Sequence, residues 1–257
     1  MKKRTIFIAV LAVLLIALTA CSPAQPSGEF NPREVPVFVG SDSTPADRQE
    51  DLKQVLGWKE GDTFRISEEG QLTYYRNDND FQDSGMTLSD AEATERAEQF
   101  LSNLGLLHRG GYRTTVSRIS RSVMDGSGAS DPVIVEYTVS FYRVHNGVDV
   151  VSDQEDGILL SFDAKGITSL RYFWRDIAVQ KISDKGSLLT KEAALEVYNN
   201  RWDERHGDCC DPHPDPDIRE AYLNIENTTR PCWVISEDEA YTNAWWIDMF
   251  TGEILAG

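Results

Sequence analysis

The alternation of apolar and polar side chains is clearest between residues 133 and 174. Val133, Val135, Tyr137, Val139 and Phe141 alternate with Ile134, Glu136, Thr138, Ser140 and Tyr142. A period of two in β-branched and aromatic residues predicts a strand with one buried face. Asn146-Gly147 follows, and both residue types tolerate positive φ, which predicts a tight hairpin. A second turn over residues 163–166 sends the chain back through Ile167 toward Trp174. The stretch is therefore expected to form a three-stranded antiparallel meander.

On the N-terminal side the pattern is weaker. Residues 35–39 read as an edge strand, since Pro36 cannot donate to a ladder. A helix is expected over 45–56, and strands at 63–66 and 72–76 flank Ser67-Glu68-Glu69-Gly70 as a hairpin. A polar, acidic linker covers 77–85. A helix follows, with Thr87 as its N-cap and Asp90 three residues on. Leu88, Ala93, Ala97, Phe100, Leu101 and Leu104 share its apolar face, and Gly105 ends it. A strand over 112–123 leads into the meander.

After a polar break at 183–187 a similar order returns. Thr190 caps a helix carrying Ala193, Ala194, Val197, Tyr198 and Trp202, a loop spans 203–217, and strands are expected at 218–226, 231–235 and 243–250. Thr251-Gly252 turns the last into Glu253-Ile254-Leu255. Ile247-Asp248 ahead of this turn echoes Phe162-Asp163 ahead of Gly166. The expected class is α+β, with two tandem units at 86–182 and 183–257. Each would be a helix packed on an antiparallel β-meander, behind a short N-terminal β-hairpin region at 35–85.

The N-terminus changes the picture of where the chain works. Lys2, Lys3 and Arg4 precede an apolar run from Thr5 to Ala17, the layout of a signal peptide over residues 1–20. Leu18-Thr19-Ala20-Cys21 resembles the lipobox of bacterial lipoproteins, which implies cleavage before Cys21 and lipidation of that residue. Residues 21–34, with Pro23, Pro26, Gly28 and Pro32, then read as a lipidated tether. The expected location is the outer face of the bacterial cytoplasmic membrane, held there by acyl chains. The formal charge is −17, and cleavage would remove three further cations. So acidic a body repels phosphate backbones, which argues against a nucleic-acid partner.

Chemistry-bearing clusters are sparse. In an exported chain Cys232 is a candidate to bridge Cys209 or Cys210, tying the long loop to a strand. His206, Asp208, Cys209, Cys210, Asp211 and His213 lie close together and suggest zinc, with Cys232 completing a set. The spacing matches no zinc pattern, and Pro212, Pro214 and Pro216 stiffen the loop, so neither a metal nor a cofactor is expected. His108 and His145 read as turn residues. Glu155-Asp156 and Glu237-Asp238-Glu239 read as solvated acids rather than a glycosidase pair. No catalytic residue is expected. The aromatic runs stand out instead. Tyr172, Trp174, Trp245 and Trp246 lie in strands where neighbours face opposite ways, so one face is core and the other is a candidate partner-binding surface.

Leu-Thr-Lys-Glu-Ala-Ala at 189–194, Pro-Cys-Trp-Val-Ile at 231–235 and Trp-Trp-Ile-Asp-Met-Phe-Thr-Gly-Glu-Ile-Leu at 245–255 resemble a PepSY module. The earlier unit, with Tyr-Thr-Val-Ser-Phe-Tyr-Arg-Val-His-Asn-Gly-Val and Phe-Asp-Ala-Lys-Gly-Ile, is similar to repeats of the YycH/YycI-type extracytoplasmic regulators and to propeptides of thermolysin-like proteases. The resemblance implies two tandem PepSY-like units in a non-catalytic protein that binds a sensor kinase, a protease or a cell-wall enzyme at the envelope. The chain departs from those regulators in carrying a lipobox instead of a spanning helix, and no protease follows it as one would follow a propeptide. The alternatives are a small secreted hydrolase using loop carboxylates or a metal, and a lipoprotein that binds a glycan or peptide.

Overall fold

A computed structural model describes residues 29–39, 48–77, 85–107, 111–122, 124–125, 128–129, 131–152, 156–183, 186–206, 216–236 and 244–256. In chain order the first elements are β1 (Glu34–Val39), α1 (Gln49–Leu56), β2 (Thr63–Ile66), β3 (Leu72–Tyr75) and α2 (Asp90–Asn103). Then come β4 (Tyr112–Arg121), β5 (Met124–Asp125), β6 (Gly128–Ala129), β7 (Val133–His145), β8 (Val148–Ser152), β9 (Gly157–Asp163), β10 (Gly166–Phe173) and β11 (Asp176–Lys181). The chain finishes with α3 (Lys191–His206), β12 (Asp217–Ile225), β13 (Thr228–Ser236), β14 (Trp245–Asp248) and β15 (Ile254–Ala256).

The expected pair of helix-on-meander units does not hold. The chain is mostly β, with three helices among the described residues, and its strands build one mixed sheet of eleven. Its path is β15-β14-β13-β12-β8-β7-β9-β10-β3-β2, with β4 added on β7. Long-range pairings account for the difference. β3 pairs with β10, so the N-terminal hairpin extends the later sheet. β8 pairs with β12 in parallel, through Tyr222↔Val150 to Asn224↔Ser152, and joins the two halves. β1 pairs with β11 in a separate two-stranded sheet, as do β5 and β6.

Local signals explain most single elements. β7 buries Val135, Tyr137, Val139 and Phe141 and leaves the residues between them half-buried. Asn146 and Gly147 both have positive φ, 49° and 82°, and His145↔Val148 closes a two-residue hairpin whose twist matches the flanking strands. Asp163 ends β9 by accepting from the backbone N–H groups of Lys165 and Gly166, and Asp248 ends β14 by accepting from those of Phe250 and Thr251. The cap of α2 lies two residues beyond the expected one. Ser89, not Thr87, accepts from the Glu92 N–H, and the Glu92 carboxylate accepts in return from the Ser89 N–H at 2.8 Å.

The main core lies between one face of the sheet and the helices α1 and α2. Leu52, Leu101, Tyr137, Leu160, Phe162 and Leu170 are at its centre. Each such side chain contributes about 1.5–3 kcal/mol by burial. The Tyr137 hydroxyl donates to the Leu88 carbonyl and accepts from the Leu88 N–H, so its polar end is satisfied inside the core. α3 packs Ala194 and Tyr198 on Ile235, Trp245 and Ile247, while Ala221, Val234 and Trp246 form a further cluster.

Candidate functional site

The sheet forks at β7. β4 follows one edge of β7 along nearly its whole length. On the other edge β9 pairs with residues 137–141, and β8 then takes over at Val144 and His145. A crevice opens where two strands part from a shared neighbour. Gly157 lets β9 start close against β7 at this point. Its φ is 153°, and a Cβ there would sit 3.0 Å from the Phe141 carbonyl oxygen.

A buried ionic cluster holds the fork. The Arg143 Nε donates to Asp156 Oδ2 at 2.8 Å, and the Arg175 backbone N–H donates to Asp156 Oδ1 at 2.9 Å. Arg143 Nη2 donates to the Arg175 carbonyl, and Arg175 Nη2 to Ser152 Oγ at 3.0 Å. The guanidiniums also stack on rings. Arg143 lies 4.3 Å from the Trp174 ring centre, and Arg175 lies 3.9 Å from that of Phe38, which β1 supplies. With the Arg143 guanidinium on one oxygen and the Arg175 backbone N–H on the other, Asp156 ties β7 to the turn between β10 and β11. Removing one member of such a buried set is costly, about 3–5 kcal/mol, because it strands a charge.

The crevice is a cleft of about 410 Å³. Tyr172, Phe173 and Trp246 give it aromatic walls, and Val150 and Val151 add aliphatic surface. Gln71, Ser140, Ser152 and Arg171 bring hydrogen-bonding groups, and Asp156 reaches it from the ionic cluster.

The four aromatic residues expected on a partner-binding face are all buried: Tyr172 is 3%, Trp174 4%, Trp245 6% and Trp246 5% exposed. Tyr172 and Trp246, far apart in sequence, meet in the lining of the cleft. Trp174 stacks under Arg143, and Trp245 packs edge-on to Tyr198 beneath α3. Cys21, Cys209 and Cys210 lie outside the described residues, as do His108, Glu155, Glu237, Asp238 and Glu239. Of the proposed zinc cluster, Asp208, Asp211 and His213 lie there too. Cys232 is a buried, free thiol whose Sγ donates to the Arg230 carbonyl, and burial pushes its pKa up. No group of three or more His, Cys, Asp or Glu side chains among the described residues is placed to hold a metal ion.

Neither Arg143 nor Arg175 stands out in the sequence, and Asp156, expected to be a solvated loop acid beside Glu155, is instead buried. Arg143 did carry a signal. It continues the buried register of Val135, Tyr137, Val139 and Phe141, and a charge at such a position requires a partner. Nothing in the local sequence marks Asp156 or Arg175 as that partner.

No protein-family model and no curated protein matches the chain. The fold is similar to that in the crystal structure of an uncharacterized protein from Eubacterium rectale. The sequences are 13% identical, 88% of this chain and 86% of that chain are covered, and the TM-score is 0.50. At that identity the likeness concerns the fold alone.

Proposed function

We propose that this chain is a lipid-anchored protein on the outer face of a bacterial cytoplasmic membrane. In this reading it binds and modulates an envelope protein, such as a sensor kinase, a protease or a cell-wall enzyme, without catalysing a reaction. The observation that carries it is the fork cleft, where aromatic walls and hydrogen-bonding groups converge on a strand junction. An extended segment of a partner would lay apolar side chains against Tyr172, Phe173 and Trp246. Its backbone would meet Gln71, Ser140 and Ser152. The lipobox at Cys21 supports the anchor, and no helix among the described residues is long and apolar enough to cross a membrane.

A photoreactive residue in place of Tyr142, at the cleft, tests the reading in intact membranes. A defined envelope protein should crosslink, and Trp246→Ala should lower its yield several-fold. Recovery of the chain alone counts against a protein partner. The cleft volume also suits a small ligand, within the roughly 300–1,000 Å³ of typical ligand sites. A glycan or short peptide is therefore the second reading, favoured if such a compound protects the cleft from the crosslinker while no protein is captured. Cys21→Ser should release the chain from membranes, and retention of that variant would overturn the lipid anchor.

A further inference from the structure

β1 is held unlike the strands of the main sheet. Among the described residues it pairs only with β11, outside the eleven-stranded sheet. Side chains attach it to the main body. Val35 packs with Val150 and Tyr222, and Phe30 and Phe38 border the same cluster. The Tyr222 hydroxyl lies 3.1 Å from the Asn31 carbonyl and 3.3 Å from that of Glu34, with one proton to donate between them. Phe38 sits against both Arg143 and Arg175.

His145 lies at this junction. It is the last residue of β7, and its ring stands edge-on to Tyr222 at 5.9 Å. Its Nε2 is buried and has no hydrogen-bond partner among the described residues. With its proton on Nδ1, a neutral imidazole leaves only a lone pair unused there. An imidazolium would place an N–H and a charge where no acceptor waits.

The surrounding charges do not rescue it. Glu34 of β1 favours the imidazolium, but it pairs with Lys181 of β11 at 3.6 Å. Asp149 of β8 is tied to Arg113 of β4 through both its oxygens. Arg143, two residues before His145, is tied to Asp156. From β12 come Tyr222 and Glu220. Burial holds the His145 pKa below its ordinary value, and Glu34 offsets that only in part. Glu220 is pushed up by burial and by Glu29.

We propose that β1 is a pH-released strap: protonation of His145 at its buried Nε2 undocks residues 30–38 from the main sheet and frees their backbone from β11, exposing the Arg143–Asp156–Arg175 cluster behind the cleft. Because docking disfavours the imidazolium, it is fully retained above the ordinary imidazole range near pH 6.5. It weakens as pH falls below that value. Departure of Phe38 strips a ring from both guanidiniums that hold Asp156 in the cleft wall. That last link rests on the cleft being the binding site, whereas the undocking does not.

Hydrogen exchange of the full chain tests it, read at the amides of Val35, Val37, Phe38 and Val39 and corrected for intrinsic rates. These amides should exchange measurably faster near pH 5.5 than near pH 7.5. β9 should not respond. His145→Gln and His145→Phe should each abolish the difference, and Glu220→Gln should leave it intact. Absence of the acceleration in the wild type overturns the proposal. So does its persistence in both His145 variants, or its loss in Glu220→Gln. An intact pH response with no partner captured at the cleft would sink the cleft reading and leave the strap.

Discussion

Along β7 up to Tyr142 only one face is buried, whereas β14, beyond the fork, buries both. In β7 the burial alternates, with Thr138, Ser140 and Tyr142 only partly covered. In β14 Trp245, Trp246, Ile247 and Asp248 are all buried in succession. Trp245 and Ile247 pack beneath α3, and Trp246 joins Ala221, Val234 and Cys232 in a separate cluster. Strand neighbours point to opposite faces, so a continuous buried run means a sheet covered on both sides. The fork cleft lies where the two regimes meet. Ser140 and Tyr142 come from the one-sided part, and Val151 and Trp246 from the two-sided part.

Weakening one region shows whether the other depends on it. Phe162 is fully buried, stacked on Tyr137 at 5.9 Å and tilted on Phe100 at 5.7 Å. Phe162→Ala should cost about 3–5 kcal/mol by lost transfer and cavity formation. Because β7, β8 and β12 are hydrogen-bonded in one path, β14 should lose its stability together with β9. Urea unfolding followed by hydrogen exchange in both strands checks this. A β14 midpoint that stays at the wild-type value while β9 shifts would show two independent folding units.

The same contrast explains what the sequence discloses. β7, its Asn146-Gly147 turn and the 63–76 hairpin were legible because period-two burial and positive-φ residues are local signals. Thr190 was legible as a cap, and its Oγ1 accepts from the Ala193 N–H at 3.2 Å. Register between distant strands was not. Nothing local in Leu72–Tyr75 names β10 as its neighbour, and nothing in Val150 names Tyr222. The aromatic residues of the cleft could be picked out as functional candidates, but their meeting depends on the parallel β8–β12 pairing. The expectation of two self-contained units failed at the same joint.

The two strand-ending aspartates offer a finer comparison. Asp163 is gripped by both terminal nitrogens of Arg76, whose side chain is largely buried. Asp248 receives a single bond from Arg230, whose side chain is 43% exposed. Asp163→Asn should therefore cost about 2 kcal/mol and Asp248→Asn about 1, since charge-assisted bonds weaken with solvent access. Burial alone would raise the Asp163 carboxyl, but the Arg76 guanidinium and the Lys165 and Gly166 N–H groups outweigh it and hold the pKa below its ordinary value. A lowered carboxyl pKa contributes stability above the unfolded value and loses it as pH falls through the folded one. The gap between wild type and Asp163→Asn should thus be full at neutral pH and close below about pH 4. A gap that stays constant across that range would mean the charge of Asp163 contributes nothing.

The smallest effect separates the helices that cover the two regions. α2 begins with a reciprocal capping box in which the Ser89 hydroxyl accepts from the Glu92 N–H and the Glu92 carboxylate accepts from the Ser89 N–H. That contact holds the Glu92 pKa below its ordinary value. α3 has Thr190 at the corresponding place, but the residue three positions on is Ala193, which cannot return the bond. One orphan N–H is satisfied by the cap side chain at α3 and two are satisfied at α2. Ser89→Ala should therefore destabilise by about 1–2 kcal/mol and Thr190→Ala by about 0.5–1. Ala193→Glu completes the box at α3 and should recover a few tenths of a kcal/mol. Equal losses for the two alanine variants in paired denaturation curves would show that the reciprocal bond from Glu92 adds nothing to the cap.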